Sequence, residues 1–333
     1  MALMDCNFHI SLPCCFEIKT IKGADIMDLV LVNPKAAGGR SLDKWDRIKP
    51  LFREGFHYKL LNGALISSEL LKDYVSRGYK NIISAGGDGT LNLILNNLLD
   101  SLTPGQLRNI KLGALGIGSS NDFHKPFKEG KIIGGIPAHI DFNSAEPRDV
   151  GCLTYNIDGK TEKRYFLINA SIGITAEGNA MFNHPGKILS ILKKRNTSIS
   201  ILYSAVKTLL GYKNFSVQIS SEGKVFETQL TNMGIVKNPC FSGNMKYNSQ
   251  ADYSNGLFDI FLCSSMTVLE RINLMKQLSR RVPGKVKNMI SWRTAEVNVE
   301  APYPFYVEFD GEMIRTNNVS FSILPKYIKV CRC

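Results

Sequence analysis

Five residues at positions 86–90, Gly-Gly-Asp-Gly-Thr, form the stretch whose composition points most directly to chemistry. They follow an apolar run at 81–85 that is typical of a buried strand, and they precede an apolar-periodic segment at 91–99 that is typical of a helix. A strand, a glycine turn and a helix in that order bring backbone N–H groups to an anion at the helix N-terminus. Glycine also lets a phosphate approach closely, because it has no Cβ. The spacing predicts a phosphate site, with a tight turn that binds no ligand as the plainer alternative.

The acid in this turn, Asp88, is unusual in a site for anions alone. Its carboxylate indicates that a metal ion, a water or a ribose hydroxyl lies close by. The turn is therefore expected to bind the phosphate of a nucleotide.

Two more polar turns follow predicted strands in the same part of the chain. The first, at 33–40, is Asn-Pro-Lys-Ala-Ala-Gly-Gly-Arg and follows the apolar run at 28–32. The second, at 118–122, is Gly-Ser-Ser-Asn-Asp and follows the apolar run at 111–117. Strands that alternate with helices predict a parallel sheet with right-handed crossovers, and ligands of such sheets bind outside the carboxyl ends of the strands. All three turns are therefore expected to converge on one ligand.

The elements that must position these turns change in character near residue 140. Before it, a further strand is predicted at 57–61 and helices at 42–53 and 67–77. After it, short β-rich segments between turn residues are typical of an antiparallel sandwich or barrel. The segments are 165–170, 215–220, 225–230, 257–263, 295–299, 306–309 and 319–324, with helices at 187–210 and 268–278. The prediction is an N-terminal extension at 1–26, an α/β domain at 27–140 and a β domain at 141–333.

The composition is that of an ordinary soluble globular protein, since 44% of the 333 residues are apolar and 21% are charged. This length predicts two domains. No window approaches the roughly 18–20 continuous apolar residues that a membrane-spanning helix needs. The formal net charge of +12 suits a nucleotide, nucleic acid or an anionic membrane face. No RNA-binding motif, zinc pattern or recognition helix supports nucleic acid, so that partner is not predicted.

The cysteines predict a reducing environment. Neither close pair, Cys14-Cys15 or Cys331-x-Cys333, has the spacing of a zinc site. Because the glycine turn implies cytosolic chemistry, reduced thiols are expected, with acylation of Cys14 and Cys15 as an alternative. The first 26 residues lack the long apolar region of a secretory signal. The predicted location is cytoplasmic.

Six stretches occur in an order that resembles the diacylglycerol kinase catalytic family. They are residues 33–40, 86–92, 116–123, Asn169-x-x-x-Gly173, residues 251–259 and Phe309-Asp310-Gly311-Glu312. This family contains bacterial diacylglycerol and broader lipid kinases, with sphingosine and ceramide kinases as relatives, and the resemblance covers about residues 27–330. NAD kinases and phosphofructokinases share Gly-Gly-Asp-Gly-Thr, but the later motifs of NAD kinases are absent and phosphofructokinases have a different set.

The resemblance implies an N-terminal α/β nucleotide-binding domain with a parallel sheet, a C-terminal antiparallel β-sandwich that takes the lipid, and an active site between them. It implies that ATP is bound by Asn33, Pro34, Lys35, Ala36, Gly38, Gly86, Gly87, Asp88, Gly89, Thr90, Asn92, Ser119, Asn121, Asp122 and Glu312. Residues 86–92 would carry the phosphates, and Glu312 would lie beside the nucleotide or its Mg²⁺.

The implied reaction transfers the γ-phosphoryl group of ATP to a hydroxyl of diacylglycerol or a related lipid alcohol, with Asp310 as general base. An alcohol is a poor nucleophile, so a carboxylate must accept its proton, while Mg²⁺ and backbone N–H groups neutralise the phosphoryl oxygens. By residue type alone, Asp310-Gly311 is a type I′ hairpin turn.

Two other functions stay open. A soluble NAD- or sugar-type kinase would have a small polar pocket at Asp310, whereas an apolar channel would favour a lipid. A nucleotide-binding pseudokinase is motivated by two departures from the family pattern, Leu93 and Asn255, which stand where the family has acids.

The resemblance also implies a structural Mg²⁺ in the C-terminal domain, as in bacterial members. The matching ligands are Asp252, Asn255 and the carbonyl group of Leu257. Because Asn255 replaces a carboxylate, a site for a hard cation is weakened here.

The expected substrate lies in a membrane, although the chain has no predicted span. Peripheral binding to anionic lipid is predicted for two basic runs, or these runs are merely solvated. The runs contain Lys193, Lys194, Arg195, Arg280, Arg281, Lys285 and Lys287. A homodimer is a further expectation.

Overall fold

The structure is a computed structural model that describes most of the chain. It describes residues 27–52, 56–61, 67–125, 131–183, 189, 197–243, 245–250, 252–280 and 286–332, without the side chains of 197–202. The predicted extension at 1–26 and the basic residues Lys193, Lys194, Arg195, Arg281 and Lys285 lie outside these residues.

Strands and helices alternate through the N-terminal half. The elements are β1 (Met27–Val32), α1 (Ser41–Ile48), β2 (Phe56–Leu60), α2 (Ser68–Ser76), β3 (Tyr79–Gly86), α3 (Asp88–Ser101), α4 (Pro104–Leu107) and β4 (Lys111–Gly116), with 3-10 turns at Ala36–Gly39, Lys49–Leu51 and Asp122–His124. The four strands are parallel and lie in the order β2-β1-β3-β4. The predicted parallel sheet with alternating helices is confirmed.

Helices cover both faces of this sheet, which explains why its central strands are apolar throughout. On one face, Leu29 and Leu31 of β1 pack with the buried leucines of α2 and α3. On the other face, Val30 and Val32 pack against Trp45 and other buried residues of α1. The core therefore holds the carboxyl ends of β1, β3 and β4 in a fixed arrangement.

The C-terminal half is rich in antiparallel strands. Its elements are β5 (Ile132–Ile133), β6 (Ile136–His139), β7 (Ala145–Ile157), β8 (Lys160–Phe166), β9 (Asn169–Gly173), α5 (Ile174–Asn183), α6 (Thr197–Gly211), β10 (Phe215–Ser221), β11 (Lys224–Val236), β12 (Cys240–Phe241), β13 (Met245–Lys246), β14 (Phe258–Ser264), α7 (Val268–Arg280), β15 (Met289–Thr294), β16 (Glu296–Phe309) and β17 (Glu312–Cys331). The predicted β-rich half is confirmed.

The last strand, β17, connects the two halves. It pairs antiparallel with β16 and β7, and near its end it pairs parallel with β4 through Lys329 and Val330. Hydrogen bonding therefore runs without a break from the parallel strands into the antiparallel ones. Only residues 319–324 of this strand were predicted.

Three differences from the sequence expectations affect the site. The strand predicted at 165–170 is divided into β8 and β9, with residues 167 and 168 between them. The strands predicted at 295–299 and 306–309 are one strand, β16, with a register shift between Glu300 and Phe305. Helix α5, which no periodicity predicted, follows β9 directly. Among the described residues, no helix combines the length and apolar character needed to cross a membrane.

Candidate active site

The three polar turns meet where β1, β3 and β4 end. Asn33 Nδ2 donates to Thr90 Oγ1 at 2.8 Å, which joins the first turn to the glycine turn. The backbone N–H of Gly118 donates to the carbonyl group of Gly86 at 2.9 Å, which joins the third turn to it. Loops that are distant in the sequence thus form one continuous rim.

Glycine is required at two positions of this rim by close packing within the protein. A Cβ built on Gly86 would lie 2.3 Å from Thr90 Oγ1, and one built on Gly118 would lie 2.3 Å from the Cα of Gly87. Both distances are far shorter than any real Cβ contact. These glycines therefore let the turns touch each other, which is a role additional to any approach by a ligand.

The first turn presents an open backbone at the rim. Asn33 Oδ1 accepts a hydrogen bond from the backbone N–H of Lys35 at 2.9 Å, which shapes the turn beside the half-buried Pro34 and Ala36. Gly38 has a φ of +67°, and a Cβ built on it would meet nothing within 4 Å. Lys35 and Gly38 are exposed, so this part of the turn is available to a ligand.

Asp88 uses both of its carboxylate oxygens inside the protein. Oδ2 accepts from the backbone N–H of Asp122 and Oδ1 from that of Phe123, each at 3.0 Å. Burial, followed by the charge of Asp122, raises the pKa of Asp88 to about 6. Asp88 thus anchors the third turn to the start of α3. A metal ion, a water or a ribose hydroxyl beside this acid stays a prediction.

The third turn reaches across to the C-terminal half through Asp122. The carboxylate of Asp122 accepts from Ser120 Oγ at 2.7 Å and from the backbone N–H of Gly243 at 3.1 Å. Asn121 lies in the left-handed region with a φ of +53°, and its Nδ2 donates back to the carbonyl group of Gly116. Ser119 is exposed at the tip. Asp122 therefore fixes the distance between the rim and the opposite wall.

Asp310 lies in the two-residue turn between β16 and β17. Its φ of +47° and the φ of +93° at Gly311 match the type I′ hairpin that the residue types predict. Its carboxylate accepts from three consecutive backbone N–H groups, those of Leu167 (2.8 Å), Ile168 (3.0 Å) and Asn169 (3.1 Å). These bonds explain why the predicted strand at 165–170 is interrupted.

The pKa of Asp310 is raised to about 7, because burial disfavours the charged carboxylate. The hydrogen bonds from the backbone and from Asn92 oppose this shift without cancelling it. A carboxyl group in this state exchanges a proton close to neutral pH.

The hairpin turn packs against the N-terminus of α3. A Cβ built on Gly89 would lie 3.4 Å from Glu312 Oε1 and 4.0 Å from the carbonyl oxygen of Asp310. One turn further along α3, Asn92 Nδ2 lies 3.4 Å from Asp310 Oδ2. Asn92, which the resemblance assigned to the phosphates, thus lies directly beside Asp310.

A cavity of about 180 Å³ lies between the two halves. Asp88, Ser120 and Asp122 line it from the N-terminal half, and Asn169, Ser171 and Asp310 line it from the other. Asp88 and Asp122, two of the proposed nucleotide-binding residues, therefore line the same cavity as Asp310.

Two groups in this cavity were not predicted from the sequence. Glu308 is buried, with Oε2 accepting from Ser171 Oγ at 2.9 Å and Oε1 from the backbone N–H of Gly311 at 2.8 Å, and burial raises its pKa to about 7. Helix α5 contributes Thr175, Asn179 and Asn183, which are spaced four residues apart on one helix face. Glu308 could have been predicted from the sequence, because it is an acid in an apolar strand and lies two residues before Asp310. Residues two apart in a strand point to the same side.

The residues implied as a structural metal site do not act as a set. Asn255 Oδ1 and the carbonyl oxygen of Leu257 accept hydrogen bonds from Lys237 Nζ, whereas Asp252 Oδ1 accepts from the backbone N–H of Ser254. In the described part of the chain, no three His, Cys, Asp or Glu residues are grouped to hold a metal ion. Leu93, at the position of the family's acid, packs against the core of the N-terminal half.

Comparison with known proteins finds similarity along most of the chain. Residues 28–152 match the diacylglycerol kinase catalytic domain, and residues 171–332 match the YegS C-terminal NAD kinase beta sandwich-like domain. The chain is 25% identical to the diacylglycerol kinase of Staphylococcus haemolyticus over 261 residues, which cover 77% of this chain and 72% of that protein. It is 23% identical to the diacylglycerol kinase of Bacillus subtilis over 244 residues, which cover 72% and 74%.

A crystal structure of a diacylglycerol kinase from Bacillus anthracis has the same fold. It superposes with a TM-score of 0.61 at 16% identity, covering 94% of this chain and 98% of the other. The two family models follow one another along the chain and contain five of the six motif stretches, while Asn169 lies two residues before the start of the second model. Residues 28–152 therefore belong to the diacylglycerol kinase catalytic domain family, and residues 171–332 belong to the YegS C-terminal domain family.

Proposed function

We propose that this protein is an ATP-dependent lipid kinase that phosphorylates a hydroxyl of diacylglycerol or a related lipid alcohol. The observation that carries this proposal is the packing of the Asp310-Gly311-Glu312 turn against the start of α3. It puts Asp310 next to Asn92 and on the same cavity as Asp88 and Asp122. In this proposal the α/β half binds ATP, and the sandwich-like β-rich half takes the lipid.

The nucleotide is held by the rim of three turns. The first backbone N–H groups of α3 have no partner within the helix, and the helix dipole favours a phosphate there. The exposed Lys35 and Gly38 lie on the first turn, while Ser119 lies on the third. These groups surround the start of α3, which suits a triphosphate.

A magnesium ion carried by the nucleotide would neutralise charge on the transferring phosphoryl group. The exposed carboxylate of Glu312, beside Gly89 at the start of α3, is the group suited to hold it. Mg²⁺ in kinases keeps several waters and takes one or two carboxylates besides the phosphates. One accessible carboxylate therefore fits this role, whereas the oxygens of Asp88 are already bonded to backbone N–H groups.

Asp310 accepts the proton of the attacking hydroxyl. Oδ2 accepts from the N–H of Leu167 at 2.8 Å and from Asn92 at 3.4 Å; the bond from Asn92 is the longest of the four, so it is the one that a substrate hydroxyl replaces most easily. A pKa of about 7 leaves the group ionised in a large fraction of molecules at neutral pH and still basic enough to take a proton. The three backbone bonds meanwhile hold its orientation.

The test is phosphate transfer from labelled ATP to a lipid panel by the wild type, by Asp310→Asn and by the control Asp46→Asn, which alters an exposed acid of α1. We expect transfer by the wild type and the control, and loss of transfer with retained nucleotide binding in Asp310→Asn. Equal transfer by all three proteins would remove Asp310 from the reaction. Nucleotide binding without transfer by any of them would support the pseudokinase alternative.

A second candidate is a kinase for a small soluble polyol, and the polar lining of the cavity favours it. Thr175, Asn179 and Asn183 of α5, together with Ser171, offer hydrogen bonds to several hydroxyl groups. The same residues suit a lipid whose head group carries hydroxyls. Incubation with lipids and with soluble sugars, followed by extraction, separates the two, because labelled product enters the organic phase only for a lipid.

Lipid access requires a membrane, and we propose that α6 and α7 dock on an anionic bilayer face. Leu210 of α6 is 61% exposed and Leu269 of α7 is 78% exposed, and the exposed Lys207 and Lys276 lie on the same two helices. Exposed apolar side chains among cations suit an interfacial site on anionic lipid. The helices are neighbours, since Arg271 of α7 donates to the carbonyl group of Tyr212 just beyond α6 at 2.7 Å.

Sedimentation with vesicles tests this surface. The wild type is expected to sediment with anionic vesicles but not with neutral ones, and Leu210→Glu with Leu269→Glu is expected to stay in the supernatant. Equal binding to both vesicle types, or none, would exclude the proposed docking.

A further inference from the structure

A lysine ammonium lies where the family resemblance implies a divalent cation. Lys237 Nζ donates to Asn255 Oδ1 at 3.0 Å and to the carbonyl oxygen of Leu257 at 2.9 Å. It also forms an ion pair with Asp149 Oδ2 at 2.9 Å. We propose that the Lys237 ammonium is the resident cation of this turn, and that the β-rich half needs no divalent metal there.

The number of donors matches the number of acceptors. An ammonium group has three N–H donors, and Lys237 directs them to a carboxylate, an amide oxygen and a backbone carbonyl. These are the oxygen types that hard cations prefer. All three are occupied by a group that is covalently part of the chain, so a metal ion would have to displace it.

The charges balance without a metal. The side chains of Lys237 and Asp149 are 1% and 0% exposed, so one buried positive charge faces one buried negative charge. The other hydrogen bonds to Asp149 come from backbone N–H groups, those of Gly256 at 2.7 Å and Lys326 at 2.9 Å. A divalent ion would leave an excess positive charge in a dry environment unless a second carboxylate were present.

The second carboxylate that a metal would need is not in place. Asp252, the remaining implied ligand, is exposed, and its Oδ1 is engaged by the backbone N–H of Ser254 at 3.0 Å. Asn255 offers a neutral amide where the family has an acid. Replacement of that acid by Asn255 and the presence of Lys237 both make the turn more positive. Both therefore disfavour a divalent cation there.

This ammonium cluster is connected to the candidate active site. The backbone N–H groups of Lys237 and Asn238 both donate to the carbonyl group of Ile168, at 2.9 and 2.8 Å. The N–H of Ile168 in turn donates to Asp310 Oδ1 at 3.0 Å. The backbone at Lys237 is thus hydrogen-bonded to the segment that carries the three donors of Asp310.

The first test uses the wild type without nucleotide. Metal content after dialysis and the Tm are measured with a chelator and with added Mg²⁺ or Ca²⁺. We expect no stoichiometric divalent metal and the same Tm in all three conditions. One equivalent of bound metal, or a Tm that rises with either ion, would overturn the proposal.

The second test vacates the ammonium position. Lys237→Ala leaves Asp149 buried without a cation, and we expect a fall in Tm on the order of 10 °C, of which Mg²⁺ or Ca²⁺ restores a part. The double variant Lys237→Ala with Asn255→Asp should recover more, because it supplies a second carboxylate. The control Lys224→Ala alters an exposed lysine of β11 and should leave the Tm unchanged.

An unchanged Tm in Lys237→Ala would overturn the proposal. So would a Tm that neither Mg²⁺ nor Ca²⁺ raises in either variant, because the ammonium group would then not occupy a site that can hold a metal cation. If neither variant folds, the wild-type metal content and Tm still decide the matter. These readouts do not depend on phosphate transfer, so they can fail or succeed independently of the proposed kinase activity.

Discussion

Asp310 and Asp149 are both buried acids of the β-rich half, yet the groups that contact their carboxylates differ in charge. Asp149 faces the ammonium group of Lys237 at 2.9 Å. Among the described residues, the hydrogen bonds to the carboxylate of Asp310 come from neutral N–H donors, and its pKa is raised to about 7. Of the two acids, only Asp310 lines the cavity.

A fixed cation beside a buried carboxylate compensates its charge, and removal of either partner leaves the other buried and unpaired. At Asp310, burial without a cation raises the pKa to about 7, while the neutral donors orient the carboxylate and only partly oppose this shift. The first arrangement suits a structural anchor and the second suits a general base. The following experiments separate the two roles.

The largest effect is expected from Asp310→Asn on the rate of phosphate transfer. Without a group to accept the proton of the hydroxyl, kcat should fall by about 10²–10⁴-fold. Steady-state kinetics and a nucleotide-binding measurement provide the test. A fall in Tm that accounts for the whole loss of activity would assign Asp310 to structure instead.

Asp149→Asn should act mainly on stability. It leaves the ammonium group of Lys237 buried without a counter-charge, so the free energy of unfolding should fall by about 3–5 kcal/mol. Denaturant unfolding measures this change. The double variant Asp149→Leu with Lys237→Met should be less destabilised than Asp149→Asn, because it removes both charges. A larger loss of unfolding free energy in the double variant would contradict the account of Asp149 as an ion-paired anchor.

The pH dependence of activity and of stability should have opposite signs. Burial raises the pKa of Asp310 from its ordinary value of 3.8 to about 7, so the folded state holds this proton more tightly than the unfolded state does. Its contribution to stability is present below pH 3.8 and is lost as the pH rises through about 7. Activity should instead rise through about pH 7, as the base ionises.

Activity profiles and unfolding curves across this pH range provide the measurement. Asp310→Asn should show a smaller loss of stability between pH 4 and 7 than the wild type, because one buried titrating group is gone. An identical pH dependence of stability in both proteins would mean that Asp310 does not titrate in this range.

The smallest effect is expected at the rim. Asn33→Ala removes the 2.8 Å hydrogen bond to Thr90, which costs about 1 kcal/mol of stability for a half-buried pair. If the first turn also covers the nucleotide, the KM for ATP should rise while kcat changes little. A change in kcat alone would place Asn33 in the chemical step.

Local sequence patterns predicted the strand and the helix on either side of the glycine turn. The helix expected at 91–99 lies within α3 (Asp88–Ser101), and the strand expected at 81–85 lies within β3 (Tyr79–Gly86). Apolar periodicity and glycine turns encode such units over a few residues, so no distant partner is needed to recognise them. The rim follows because parallel strands end at one edge.

The Asp310 side could be predicted only in part, because its geometry depends on distant contacts. The break after β8 exists because the N–H of Leu167 bonds Asp310, 143 positions away. The pairing of Lys237 with Asp149 spans 88 positions. Nothing in a local pattern distinguishes this lysine from one on a solvated surface.

The sequence by itself determined the family, the alternation of strands and helices before residue 140 and the three turns that end β1, β3 and β4, since these follow from local residue types and periodicity. Tertiary structure alone decided that Asp149 meets a cation and that Asp310 meets neutral N–H donors. The reason is physical: the charge state of a buried carboxylate depends on the groups that surround it in space, and folding brings those groups together from positions far apart in the sequence.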